Sequence, residues 1–216
     1  VLVFLRSLVH PLSPRGKLVH WGLEGLEATR RLVEQASVHN PNTILRPELY
    51  RIATDEKQAR QLQQTAKDVP EIAEWLETDD LMRCGIVASD RDVEVMGGLR
   101  LSNGCKVIHV PSYLQGLWKA CQTQAETTGS SVEWQQRSVT AKDLLHNEDF
   151  DATVLCAGAG LFTNGIVSSL LPVQLVRGQS LELYCSQPHA LLLGKSISPL
   201  PDPNLTLVVA TPEFKS

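Results

Sequence analysis

Apolar residues recur near the 3.6-residue period of a helix in two stretches of the chain, 20–36 and 111–125. In the first stretch they are Leu23, Leu26, Val33 and Ala36. In the second stretch, which starts at Pro111, they are Leu114, Leu117, Trp118, Cys121 and Ala125. The second stretch has the clearest one-sided pattern in the chain, and a stop signal, Thr127-Thr128-Gly129, follows it. These patterns predict two amphipathic helices.

Two further helices are predicted between these stretches. Residues 55–67 are polar and rich in helix-forming residues, with Thr54 as the predicted N-cap. Pro70 fits the first turn of a short helix that runs through Trp75 and Leu76. We therefore expect helices to alternate with strands in this part of the chain.

Short runs of apolar or alternating residues predict the strands. They are 48–53, 86–88, 93–95, 131–139, 152–157, 181–185 and 205–210, and an extended segment within 1–19 runs into a loop. Asn103-Gly104, between 99–101 and 106–110, predicts a hairpin because both central residues of a type I′ turn need positive φ. Some of these strands are linked by helices and others by a hairpin. This mixture predicts a mixed α/β fold with two layers of different kinds.

Composition narrows the function classes. With 216 residues, the chain is long enough for one large domain or two small ones. A net charge of −4 argues against nucleic acid as the main partner. No run of about 18 apolar residues is present, so no membrane span is expected. The apolar residues 1–5 stop at Arg6 and do not form a signal peptide, so we expect a cytoplasmic or organellar protein (plastid or mitochondrion).

Cysteines and histidines give no sign of a metal site or a nucleophile. The cysteines are Cys84, Cys105, Cys121, Cys156 and Cys185. An odd number without a Cys-x-x-Cys pair predicts reduced, mostly buried thiols. Cys105 and His109 lie in one predicted strand and form only an isolated pair, so we expect no bound metal. Gly-x-Ser-x-Gly is absent, which disfavours an unrelated hydrolase.

Three segments could bind a ligand through their backbone. His10-Pro11-Leu12-Ser13-Pro14-Arg15-Gly16-Lys17 combines rigid prolines, a free glycine and two cations that could face phosphate, or it is an ordinary surface loop. Ala157-Gly158-Ala159-Gly160 ends a predicted strand, but Thr163 occupies the third glycine position of a dinucleotide fingerprint. It could equally be a tight strand-to-loop turn. Arg177-Gly178-Gln179 could cross a ligand closely or form a bulge.

Taken together and in order, these segments resemble flavin-dependent oxidases of the D-amino-acid oxidase and glycine oxidase family, over roughly 8–213. The resemblance includes Leu171-Pro172-Val173-Gln174-Leu175-Val176-Arg177-Gly178-Gln179, similar to the family's Pro-x-x-x-x-Arg-Gly-Gln crossover, and Thr211-Pro212-Glu213. It implies FAD as the cofactor, with the cofactor-binding residues His10, Pro11, Leu12, Val139, Ala157, Gly158, Ala159 and Gly178. It assigns no catalytic side chain, because the flavin supplies the redox chemistry.

The resemblance also implies an architecture and a reaction. The fold would be a partial Rossmann-like FAD-binding domain, 1–45 with 111–180, interleaved with an antiparallel-sheet substrate domain, 46–110 with 181–216. The reaction would be oxidation of a C–N bond in a small-molecule amine or amino acid by hydride transfer to the flavin.

Two family segments have no counterpart in the printed sequence. They are the strand-Gly-x-Gly-x-x-Gly-helix unit before residue 8 and the part that follows Thr211, and the chain starts with Val1 rather than Met. We therefore expect a processed or partial chain that alone binds FAD poorly or not at all. The alternative is a catalytically inactive remnant, or an interaction module, of the same family.

Overall fold

The computed structural model describes residues 6–13, 15–86, 94–139, 150–156, 158, 179–184, 197–199 and 205–210. The chain divides into two compact units, one of residues 1–131 with 178–216 and one of residues 132–177. Helices and strands of the described part lie in the first unit. The division into cofactor and substrate domains drawn from the sequence stays a prediction.

Four α-helices and nine strands form the described secondary structure. The helices are α1 (Gly22–His39), α2 (Glu56–Asp68), α3 (Thr78–Arg83) and α4 (Val110–Thr128), with a 3-10 turn at Pro41–Thr43. The strands are β1 (Arg6–Val9), β2 (Ile44–Arg46), β3 (Leu49–Ile52), β4 (Ala73–Leu76), β5 (Gly98–Leu101), β6 (Lys106–His109), β7 (Gln179–Tyr184), β8 (Ile197–Pro199) and β9 (Leu205–Ala210). None of the helices within the described ranges is long and apolar enough to span a membrane.

The strands form three small sheets, in the orders β1-β6-β2, β3-β5-β4 and β7-β9-β8. Every strand pair in the described part of the chain is antiparallel. This confirms a mixed α/β fold with antiparallel sheets. The parallel, Rossmann-like part of the expected fold stays a prediction.

The Asn103-Gly104 turn is present, but the predicted hairpin is wrong. Asn103 has φ 48° and Gly104 has φ 109°, and the Cys105 N–H donates to the Ser102 carbonyl at 3.2 Å. The turn has the predicted geometry, yet β5 pairs with β3 and β4 while β6 pairs with β1 and β2. The turn therefore passes the chain from one sheet to another, because each strand has stronger partners elsewhere.

The helix predicted from Pro70 to Leu76 is also wrong. Residues 73–76 form strand β4, paired with β5 in the register Ala73–Leu101 to Leu76–Gly98. Ala73 and Leu76 are buried in the larger and the smaller core, on opposite faces of the sheet, and Glu74 is exposed. Two apolar residues three positions apart also fit one helical turn, and cross-strand packing decides the outcome.

The N-cap of α2 is Asp55 rather than the predicted Thr54. The Asp55 carboxylate accepts a hydrogen bond from the Gln58 backbone N–H at 2.8 Å, the usual contact of a capping side chain. Helix α3 was not predicted. Its Leu81, together with the loop residues Ile86 and Val95, covers the second face of the sheet β3-β5-β4.

Helix α4 forms as predicted, but only part of the predicted apolar stripe is buried. Ala125 is buried as expected, whereas the predicted Leu114 is 56% exposed and Cys121 is exposed, and Ser112 and Gly116 are buried instead. A Cβ atom at Gly116 would lie 2.3 Å from the Ala36 carbonyl oxygen of α1. Close approach of the two backbones therefore sets the contact, and small residues rather than large apolar ones face α1.

Two apolar cores lie on the two faces of the sheet β3-β5-β4. The larger joins α1, α2 and the loop after β1 to the sheet, through residues that include Leu12, Leu26, Leu49, Leu62, Leu99 and Leu101. The smaller contains Ile52, Leu76, Leu81, Ile86 and Val95. Leu12 thus fixes the loop after β1 to the main core of the first unit.

Several predicted strands are wrong where the structure describes them. Residues 131–139 and 152–156, in or next to the second unit, have no strand structure and are exposed; Val154 is 83% exposed. Glu94 and Val95 are irregular, and residues 87–93 lie outside the described part. An extended apolar segment needs neighbouring strands to complete its hydrogen bonds, and no described strand pairs with these segments.

The strands predicted at 48–53, 181–185 and 205–210 are confirmed as β3, β7 and β9. Among the four described cysteines, all of them free, only Cys105 is buried, so the expectation of mostly buried thiols is wrong. Burial raises the pKa of the Cys105 thiol to about 11. No cluster of three or more metal-ligating side chains occurs in the ranges that the structure describes.

Candidate cofactor-binding loop

The segment between β1 and α1 folds into a compact hairpin-like loop, residues 10–21. Leu12 and Leu18 form an antiparallel bridge, and the Val19 N–H donates to the Pro11 carbonyl at 2.9 Å. At the tip, the Ser13 N–H donates to the Lys17 carbonyl at 2.8 Å. Because its backbone bonds largely to itself, the loop has a defined shape without a ligand.

Three contacts anchor this loop to the rest of the first unit. Leu12 is buried in the larger core. Arg51 of β3 donates from Nη1 to the Ser13 carbonyl at 3.0 Å. The buried Thr65 hydroxyl of α2 shares its one proton between the Gly16 carbonyl and the Gln61 carbonyl, each at 3.0 Å. The partners are 38 and 49 residues apart in sequence, so the loop shape depends on the tertiary fold.

Gly16 is required at the tip of the loop. Its φ is 81°, in the left-handed region that favours glycine. A Cβ atom there would lie 2.6 Å from the Thr65 hydroxyl oxygen. Any side chain at residue 16 would therefore both strain the backbone and displace the Thr65 anchor.

His10 lies at the base of the loop, where its ring is hydrogen-bonded to the backbone. Its Nδ1 accepts a hydrogen bond from the Leu12 N–H at 3.2 Å, so that nitrogen carries no proton. Burial, and then the nearby Arg51 charge, lower the pKa of His10 below its ordinary value of 6.5. The proton of the neutral ring is therefore on Nε2.

The surface of the loop carries two exposed cations near its tip, Arg15 and Lys17. At its base lie two exposed aromatic rings, those of His20 and Trp21. Trp21 is 68% exposed and has φ 57°, a strained conformation for a bulky residue. Its indole lies edge-on to the His20 ring, with centroids 5.3 Å apart. The two exposed cations can attract an anionic group.

The structure brings together only part of the predicted site. His10, Pro11 and Leu12 lie together at the base of the loop. In the second unit, Val139 is exposed at the end of an irregular segment, and Gly158 lies in a turn with φ 51°. Ala157, Ala159 and Gly178 lie outside the described residues. The position of these five residues relative to the loop stays a prediction.

Arg51 and Thr65 were missed by the sequence analysis. Arg51 lies in a predicted strand and Thr65 in a predicted helix, and neither belongs to a recognisable motif. The one available signal was an arginine on the apolar-facing side of β3, where Leu49 is buried. An arginine in that position needs a specific partner, which here is the loop.

The loop is chemically suited to a cofactor that carries anionic groups and hydrogen-bond acceptors, such as FAD. It offers two exposed cations and the Nε2–H of His10, which has no hydrogen bond to the described residues. The buried Leu12 and Pro11 hold this donor in place. The residues of the loop therefore fit the cofactor that the sequence resemblance implies.

Comparisons with known proteins support the fold. No protein-family model and no curated protein matches the sequence. Among solved structures, a glycine oxidase from Geobacillus kaustophilus is similar, with a TM-score of 0.53 and 17% sequence identity over 97% of this chain. The chain spans 59% of the length of that oxidase. At this identity the likeness shows the fold alone, and the protein has a mixed α/β fold similar to that of a glycine oxidase.

Proposed function

We propose that the protein is an FAD-dependent oxidoreductase that oxidises the C–N bond of a small-molecule amine or amino acid. The observation that carries this proposal is the folded, anchored loop 10–17, which occupies the chain position where the resembled family contacts its flavin. The glycine oxidase-like fold supports the same assignment. Residues 1–45 with 111–180 would form the cofactor part, and residues 46–110 with 181–216 the substrate part.

Each described loop residue has a distinct role in this proposal. Leu12 and Pro11 are buried and hold the backbone in shape. Arg15 and Lys17 provide positive charge for a phosphate or another anionic group. His10 donates from Nε2. Bound FAD would supply the hydride acceptor, while the protein binds and orients cofactor and substrate and excludes water.

Replacing Gly16 by alanine is expected to weaken FAD binding at least about tenfold, which corresponds to about 1.4 kcal/mol. The new Cβ would displace the Thr65 hydroxyl and the residue would be held at unfavourable φ, so the loop would lose its binding shape. The measurement is a titration of FAD fluorescence against wild-type protein and Gly16→Ala, under conditions where circular dichroism shows both to be folded.

Gly25→Ala is the matched control. Gly25 lies in the first turn of α1 with open space around it, so alanine there should preserve binding and stabilise the helix by about 0.5–1 kcal/mol. Equal FAD affinity for wild type and Gly16→Ala would contradict the assignment of the loop. Absence of any saturable FAD binding to the wild-type chain even at millimolar FAD, where weak binding would still be seen, would favour the alternative of an inactive remnant or interaction module.

A further inference from the structure

Arg51 of β3 connects the loop to the sheet through a hydrogen bond, and nothing in the loop sequence predicts this contact. It is partly buried on β3, on the face that also carries Leu49, and burial lowers the pKa of its guanidinium. A cation in such surroundings is costly unless its donors are used. Its bond to the Ser13 carbonyl, together with its charge close to His10, gives it two distinct effects on the loop.

The first effect is mechanical. Ser13 also takes part in the turn at the tip, where its carbonyl accepts from the Gly16 N–H at 2.9 Å and its hydroxyl accepts from the Lys17 N–H at 3.1 Å. By holding the same carbonyl, Arg51 fixes the tip relative to β3. Thr65 fixes the tip independently through the Gly16 carbonyl.

The second effect is electrostatic. A protonated His10 would direct an Nδ1–H toward the Leu12 N–H, which now donates to Nδ1. A positive Arg51 nearby makes that protonation still less favourable. Arg51 is the charged side chain that acts on His10 among the described residues. His10 is therefore kept as a neutral donor in a region of positive potential, which suits an oxygen acceptor.

We propose that Arg51 is a positioning residue of the loop: by holding the Ser13 carbonyl it fixes the loop so that His10, whose Nδ1 accepts from the Leu12 N–H, donates from Nε2 to a carbonyl or carboxylate oxygen of a bound ligand. This inference rests on the proposed function, in which that oxygen belongs to the flavin ring or to the carboxylate of an amino acid. Arg51 acts through Ser13 and His10 and takes no part in the reaction itself.

The test on the free protein uses ¹⁵N NMR of the histidine side chains. Wild-type His10 should show the Nε2–H tautomer, and its titration midpoint should lie below 6.5. Arg51→Met should move that midpoint upward, and Arg51→Lys, which retains the charge, should largely restore it. Thr65→Val is the control, because it removes the other anchor without changing any charge and should leave the midpoint in place.

A purely structural role for Arg51 would give a different result. Arg51→Met and Thr65→Val would then loosen the loop alike, and the His10 midpoint would move equally in both or in neither. Either result, or an Nδ1–H tautomer in the wild type, would overturn the inference. If Arg51→Met does not fold, Arg51→Gln tests the same point, because it removes the charge but keeps an amide donor for the Ser13 carbonyl. It should raise the His10 midpoint, and an unchanged midpoint would overturn the inference.

The ligand test uses FAD and acetate as separate probes. A ring carbonyl of FAD should shift the His10 Nε2–H signal while the ring stays neutral, whereas a carboxylate should also raise the pKa of His10 because it stabilises imidazolium. FAD binding that is equally tight in wild type and Arg51→Met, with His10 signals unchanged, would overturn the positioning role but not the proposed function. If the wild-type protein binds no FAD while the free-protein results are as expected, the proposed function and the donor role of His10 are both overturned. Only the effect of Arg51 on the pKa of His10 would then remain.

Discussion

Replacing Gly116 by valine is expected to lower the free energy of unfolding by about 3 kcal/mol or more. The Cβ atom would lie 2.3 Å from the Ala36 carbonyl oxygen and 2.9 Å from the Ala36 carbonyl carbon. Both are backbone atoms of α1, so no side-chain rotation can relieve the overlap. The two helices would have to move apart, and Ser112 and Val33 would lose packing with them.

The measurement is urea denaturation followed by circular dichroism at the helix signal. Lys119→Val is the control, since Lys119 lies on the same helix, is exposed, and receives the same β-branched side chain. Lys119→Val should lower the free energy of unfolding by less than about 1 kcal/mol, because it changes only the helix propensity at that position. A Gly116→Val protein as stable as Lys119→Val would show that α1 and α4 do not pack as described.

Replacing Leu99 by alanine is expected to lower the free energy of unfolding by about 2–5 kcal/mol. Leu99 lies in the central strand β5, opposite Arg51 of β3 and Trp75 of β4, and is fully buried. Truncation removes apolar area from the core and leaves a cavity between the sheet and α2. Strands on both sides hold the backbone in place, so little collapse into that space is expected.

Leu32→Ala provides the matched control, because Leu32 on α1 is 50% exposed and loses little contact on truncation. Leu32→Ala should lower the free energy of unfolding by less than about 1 kcal/mol. Because Leu12 belongs to the same core as Leu99, the Leu99 variant should also loosen the loop and increase amide hydrogen exchange at Val19. Similar stabilities for the two leucine variants would contradict the placement of the main core.

Local sequence signals predicted a good part of the described fold. The period of apolar residues found α1 and α4, because a run of four or five turns gives an unambiguous pattern. Gly129 ends α4 with φ 68°, as the stop signal at 127–129 indicates. Asn103-Gly104 gave the correct turn, but a turn does not specify which strands pair, and here the two strands belong to different sheets.

The failures share a physical cause, which is dependence on partners distant in sequence. Residues 73–76 are a strand because β5 lies beside them. The buried face of α4 is set by the backbone of α1 at Ala36, which a plot of apolar positions cannot show. The same holds for the candidate site: its loop could be picked out from its prolines, glycine and cations, but its anchors Arg51 and Thr65 only from the folded structure.

The most direct test of the central claim is to map FAD on the protein by amide NMR. A ¹H–¹⁵N spectrum of the chain is recorded with increasing FAD, and the shifted amides are assigned. We predict weak but saturable shifts at millimolar FAD, in keeping with the poor binding expected of this chain, at His10, Leu12 and Gly16 in the loop, while exposed amides of α2 such as Lys57 stay in place. No saturable shift, or shifts confined to residues outside 10–21, would contradict the claim that this loop is a flavin-binding site.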